Sequence, residues 1–303
     1  MGTRLRIALE APGREAAFSA IEAAVAGVRA VDDLLSTWRE DTELAAVNNA
    51  APEAQVPLSP RLSGILAEVW RWQLETGGAF DPAIGALVDA WDLRGKGRRP
   101  GLAELDRARE AAGVGRFSFD EAAGTMARVD GRSWIDAGAF GKGAALREAW
   151  LRLEELGVQD AMLDFGGQVL AQGSPEGGDS WIVAVAHPVR RSEPAAHLRL
   201  SNRVAATTGQ SERFVKADGQ RFGHVLDPRS GEPVPAWGSV TVVASDPLVA
   251  DVLSTALFVM GPDAGMEWVR DRDDVAALFL IDHGERLEAR WNRAMTDHLV
   301  GGG

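Results

Sequence analysis

The chain contains no cysteine. That excludes disulfides, thiolate nucleophiles, iron–sulfur clusters and Cys-ligated zinc together, and it is compatible with any redox compartment. Tyrosine is absent too, beside ten tryptophans, which reads as compositional drift rather than function. Positive charge is in deficit: 32 Lys and Arg face 44 Asp and Glu, for a net charge of -12. An acidic surface argues against nucleic acid or anionic membrane as the main partner. No apolar run approaches the ~18 residues of a membrane span, so no transmembrane segment is expected. The start, MGTRLRIALEAPGREAAF, lacks the apolar core and small-residue cleavage site of a signal peptide. The expected location is cytoplasmic as the sequence stands, or periplasmic or membrane-associated if an export segment was trimmed. Internal repeats, low-complexity tracts and long linkers are also missing.

What is present suits an ordinary globular protein, with 46% hydrophobic and 25% charged residues. A length of 303 residues permits one large domain or two interlocked ones. TRLRIALEA alternates like a strand, and REAAFSAIEAAVAGVRAVDDLLS has helical periodicity. Further helices are expected over SPRLSGILAEVWRWQLETG, LAELDRAREAAG and ALREAWLRLEELG, with RGKGRRPG an exposed basic loop. FSFD, TMARVDG and SWIDAG read as hairpin-like strands. AMLDFGGQVLAQG, SWIVAVAHP, AHLRLSNRVAATTG, GSVTVVAS and VAALFLID make the second half rich in strands, with a short tail after them. Helices early and strands late, without a regular βαβ beat, predict an α+β fold.

One stretch poses a chemical question. In ASDPLVADVLSTALFVMGP (244–262), Asp246 and Pro247 make a helix start and Gly261-Pro262 a stop. Apolar residues wrap most of the helix 247–260, so it should be buried. Asp251 therefore costs several kcal/mol unless paired or metal-bound. Thr255 lies one turn on, beside it. Two hard oxygens suit Mg²⁺ or Ca²⁺; an Asp salt-bridged to one of the many Arg residues, with Thr bonded to its own helix backbone, accounts for the same residues.

In WIDAGAFGKGAAL, Gly138, Gly141 and Gly143 surround Ala139 and Lys142 at a strand-to-helix junction. Such a turn either receives an anion at the helix N-terminus or is a tight turn with an exposed lysine. FGHVLDPRSGEPV places His224 and Asp227 in a Pro/Gly turn, where His224 is either a general base or structural. The other histidines (187, 197, 283 and 298) lack such a context.

Taken in order, MGT at 1–3, LLSTWREDTELAAVN, AFDPAIGALVDAW, IDAGAFGKG, LDFGGQVLAQG, VAATTGQSERF, HVLDPRSGEPV and ADVLSTALFVMG resemble the ApbE family, the FAD:protein FMN transferases. The resemblance runs from residue 1 to about 262. It implies a single catalytic unit over 1–303, of two interlocked T-fold-like lobes with mixed, mainly antiparallel sheets, flanking helices and an FAD cleft between lobes. It further implies a metal, Mg²⁺, held by Asp251, Thr255 and the Ala139 carbonyl. Asp136 and Lys142 would hold FAD; Met1, Trp38, Ala79, Phe80 and Asp81 would contact its adenine side, and Val225 would line the flavin.

The activity so implied moves the FMN part of FAD to a Thr or Ser hydroxyl of an acceptor protein, releasing AMP, with His224 as base and Thr208 beside the acceptor. FAD hydrolysis to FMN and AMP, or flavin binding without catalysis, are the alternatives. Departures from the family pattern are Thr207-Thr208-Gly209-Gln210-Ser211, where Thr-Ser-Gly-acid-Tyr is usual, Trp38 for an aromatic often Tyr, Asp164 for Asn, and Gln168 for Asp or Asn.

Overall fold

Leu5–Leu9 alternates between half-buried and exposed residues along its length, because successive side chains of a strand point to opposite faces. The computed structural model describes residues 3–210, 214–217 and 220–301; the expected contact at Met1 lies outside them. Leu5–Leu9 is the first of seven strands in one sheet, followed in spatial order by Ala161–Phe165, Gln168–Gln172, Arg203–Gly209, Gly238–Ala244, Ala276–Asp282 and Leu287–Trp291. Each of its ladders is antiparallel. With helices set beside antiparallel sheets, the fold is α+β, as the order of elements predicts.

Two compact units divide the chain. One comprises the segments up to Asp32, Phe140–Gly209, and from Trp237 onward; the other comprises Asp33–Ala139 and Gln210–Ala236. In the first, the helix Pro247–Val269 packs on the strands Arg203–Gly209 and Gly238–Ala244 and against the helix Gly141–Glu155. A smaller sheet, Trp181–Ala186 paired with Pro194–Leu200, contributes Val185, Leu198 and Leu200 to a core with Ala205, Val243 and Leu278 of the large sheet. Fully buried side chains of this size each contribute about 1.5–3 kcal/mol.

The second unit holds the helices Glu43–Asn49, Pro60–Glu75, Gly85–Ala90 and Leu102–Ala111. It also has a three-stranded sheet, Val56–Pro57, Thr125–Arg128 and Phe117–Asp120, and the hairpin Phe214–Ala217 with Gln220–Gly223. Trp91 is fully buried among Leu87, Leu105 and Leu226. Its Nε1 donates to Gly231 O at 2.8 Å, which satisfies the one polar atom the indole brings inside.

Four local readings change. SWIDAG is not a strand: Ile135 N donates to Asn48 Oδ1 at 2.8 Å and Asn48 Nδ2 donates back to Ile135 O at 3.0 Å. A side-chain amide thus takes the hydrogen bonds a neighbouring strand would take. The tail after VAALFLID turns at Gly284 and returns as the strand Leu287–Trp291. The late helix breaks at Gly261, whose φ is 79°, but a second helical segment follows at once from Pro262. That run, Pro247–Val269, is also long and apolar enough to cross a membrane by length and composition. Most of it is buried inside the protein, and it carries Asp251, as suits a core helix.

Candidate active site

The helix Pro247–Val269 begins with Asp246, whose Oδ1 accepts from Leu248 N at 2.8 Å and Val249 N at 3.1 Å. This satisfies two of the four N–H groups a helix start leaves open. Arg147, on the helix Gly141–Glu155, pairs with the same carboxylate. One turn further on, Asp251 is only 3% exposed. Its Oδ1 accepts from Lys142 Nζ at 2.6 Å and its Oδ2 from Gly143 N at 2.9 Å.

The glycine-rich turn therefore does bind an anion: the chain's own Asp251. Gly141, Lys142 and Gly143 form the first turn of their helix, where unpaired N–H groups and the helix dipole favour negative charge. Position 143 needs glycine for the packing. A Cβ there would stand 2.4 Å from Pro247 O and 2.6 Å from Leu248 Cα, so the two helices could not approach so closely. The basic partner of Asp251 is Lys142, not an arginine, and Lys142, expected on FAD, is engaged here with Asp251.

Thr255 is half-buried one turn past Asp251. Ser254, which sequence reasoning missed, connects the neighbourhood: its Oγ donates to Asp251 O at 2.9 Å and lies 2.8 Å from Thr208 Oγ1. The signal was available, since Ser254 stands three residues after Asp251. Strand alternation sends Thr207 to the opposite face, where its hydroxyl meets that of Thr241 at 2.8 Å. Gln168 is buried and donates to Pro247 O at 2.7 Å, anchoring the helix start.

No group of three or more His, Cys, Asp or Glu side chains suited to a metal occurs among the described residues. A self-sufficient protein cage is thus not what these residues offer. One buried carboxylate, with a threonine one turn on in the same helix, fits Mg²⁺ on its usual terms, since that ion keeps waters and takes phosphate oxygens as ligands. A cation at Asp251 Oδ1 would displace the Lys142 ammonium. Ala139 immediately precedes Phe140, the residue that opens the Gly141–Glu155 helix.

In the other unit, Asp136 is tied into its own loop: Oδ1 accepts from Gly138 N at 2.5 Å and Oδ2 from Arg94 Nη2 at 3.2 Å. Trp38 is 72% exposed, with the Arg94 guanidinium carbon 5.0 Å from its ring centroid. Arg94, read from the sequence as the start of an exposed basic loop, thus joins two residues expected at the nucleotide. Ala79 and Phe80 are 0% and 1% exposed, core residues in this structure. The Asp81 carboxylate accepts from Ala83 N at 2.8 Å and Val114 N at 3.3 Å. Burial pushes its pKa up, and those backbone donors only partly oppose the shift.

His224 is half-buried just after the strand Gln220–Gly223, and Val225, next to it, is buried. Asp227 is engaged by Arg229, whose Nε and Nη2 each donate at 2.9 Å. His187 is a structural histidine, its Nδ1 accepting from Val189 N and Arg190 N.

The ApbE family profile matches residues 1–279. The chain belongs to the ApbE family. It is similar to the FAD:protein FMN transferase of Haemophilus influenzae, at 29% identity over 83% of this chain and 75% of that one. A Klebsiella pneumoniae protein of the same description is 29% identical over 99% of this chain and 88% of its own. Among solved structures, the ApbE protein of Thermotoga maritima superposes with a TM-score of 0.89 at 26% identity, covering 97% of this chain and 95% of that one.

Proposed function

We propose that this chain is an FAD:protein FMN transferase that moves the FMN moiety of FAD onto a Thr or Ser hydroxyl of an acceptor protein and releases AMP. Family membership supports the class of reaction. The observation that carries the reading within this chain is the buried Asp251 carboxylate, held at a helix start by Lys142 and Gly143 N, with Thr255 one turn on in its own helix.

In the step proposed, the acceptor oxygen bonds to the FMN phosphorus and the bond from that phosphorus to the bridging oxygen breaks. AMP leaves with the electron pair, and the hydroxyl proton passes to a base. Such transfers depend on positioning and on neutralising charge. Asp251 and the Thr255 hydroxyl would hold Mg²⁺, with the Ala139 carbonyl as a third donor; when bound, the ion offsets negative charge on the phosphate oxygens. His224 would take the acceptor proton. Lys142 holds Asp251 in this structure; with a cation bound to Asp251, its ammonium would be available to phosphate. Trp38, Asp136, the Ala79–Phe80–Asp81 turn and Val225 would contact FAD.

The deciding experiment incubates the protein with FAD and Mg²⁺, with and without an acceptor protein carrying a Thr in a flavinylation motif. AMP release together with covalent FMN on the acceptor is the expected outcome. AMP and free FMN without an adduct would make water the acceptor and the protein a pyrophosphatase. Bound FAD left intact under both conditions would mean binding without catalysis.

A further inference from the structure

Arg94 lies in the stretch RGKGRRPG, yet its side chain is only 26% exposed. Its guanidinium carbon lies over two indoles, 4.1 Å from the Trp134 ring centroid and 5.0 Å from that of Trp38. Its Nη1 donates to Thr37 O at 2.9 Å, and its Nη2 donates to Thr37 Oγ1 and to Asp136 Oδ2. One planar cation thus grips the residue before Trp38, the ring of Trp38 and the carboxylate of Asp136.

The two rings differ in how they are fixed. Trp134 is held hard: its Nε1 donates to Asp89 Oδ2 at 2.8 Å, its carbonyl accepts from Gly85 N at 3.1 Å, and its ring stands where a Cβ on Gly85 would be. Trp38 leaves most of its indole in water. A large apolar ring kept exposed beside fixed polar groups suits a ligand with a flat π face. Ordering such a ring only on binding weakens affinity, and a guanidinium stacked beneath it removes that cost in advance.

We propose that Arg94 is a positioning residue that holds the Trp38 ring as a stacking platform for the adenine of FAD, so that the protein distinguishes FAD from flavins lacking a purine. The proposal rests on the proposed function only in taking Trp38 and Asp136 as nucleotide residues. Lysine at this place would keep the charge, but not the planar stack or the fork that reaches Thr37 and Asp136 together.

The test is a double-mutant cycle on the whole chain, with Arg94→Met, Trp38→Ala and both, titrated with FAD and separately with riboflavin. Arg94→Met weakens FAD by about tenfold and leaves riboflavin within about twofold. The double variant loses less FAD affinity than the product of the two single losses, because the arginine acts in large part through the ring. In the transfer assay, KM for FAD rises while kcat holds. Wild-type FAD affinity in Arg94→Met, equal losses for FAD and riboflavin, or multiplying losses in the double variant would each overturn the proposal.

Where Arg94→Met does not fold, Arg94→Lys carries the test. Its FAD affinity falls several-fold, and wild-type affinity there overturns the proposal. Undiminished FAD binding in Trp38→Ala removes the platform itself and the role of Arg94 with it. The transferase reading stands or falls separately, on adduct formation by the unmodified protein.

Discussion

Lys142 Nζ lies 2.6 Å from Asp251 Oδ1 across 109 positions of sequence. A divalent cation held by that almost wholly buried carboxylate, as proposed, would have to compete with the ammonium for the same oxygen. Lys142→Met therefore tightens Mg²⁺ binding, measured by calorimetry without FAD, by roughly tenfold, about the worth of one charge-assisted hydrogen bond. Asp251→Ala binds no Mg²⁺ in the same titration. Unchanged or weaker Mg²⁺ binding in Lys142→Met would show that the lysine does not compete for that oxygen.

Gly143→Ala tests whether the glycine-rich turn is a device for helix packing. The added methyl meets backbone atoms of Pro247 and Leu248, which no rotamer change can move aside. The two helices must separate, at a cost of about 1–3 kcal/mol, read from the denaturant midpoint. Wild-type stability would mean the turn has more room than its geometry shows.

Asp81 makes a statement about pH. Burial raises its pKa in the folded protein above the ordinary 3.8. Folding then favours the protonated form, so its contribution to stability is fully present below about pH 3.8 and is lost as pH rises through the folded pKa. Asp81→Asn does not titrate, and it gives up one backbone contact at every pH. The stability of wild type minus variant should fall as pH rises from about 3.5 toward neutral, followed by denaturant unfolding at each pH. A difference that stays flat across that range rules out Asp81 as a source of pH dependence.

His224 and Thr208 make different predictions if only the histidine takes the acceptor proton. His224→Ala lowers the transfer rate by about 10²–10⁴-fold at saturating FAD, with FAD affinity kept and partial rescue by added imidazole. Thr208→Val loses the contact with Ser254, worth about 1 kcal/mol of stability, and transfers within a few-fold of wild type. Full activity in His224→Ala would remove it as the base.

The class of fold is legible in the sequence, because the period of the apolar residues is a local property. Helices such as Arg14–Leu35 and Pro60–Glu75 and strands such as Gly238–Ala244 lie where their spacing puts them. The sequence also singles out Asp251, since a carboxylate in an apolar helix needs a partner wherever the helix goes. What it leaves open is which partner. Lys142 and Gly143 reach Asp251 only because two helices, far apart in sequence, pack closely enough for backbone to meet carboxylate. Likewise SWIDAG alternates like a strand, but Asn48, 87 positions away from Ile135, supplies the hydrogen bonds that decide otherwise. The same reason makes Arg94 look solvent-exposed in the sequence. A basic residue in a glycine-rich loop looks solvated until two tryptophans, one 56 positions earlier in the chain than Arg94 and one 40 later, are brought to its guanidinium. Local patterning is written into neighbouring residues, whereas the pairing of a charge depends on which distant surface meets it, and that is decided by packing.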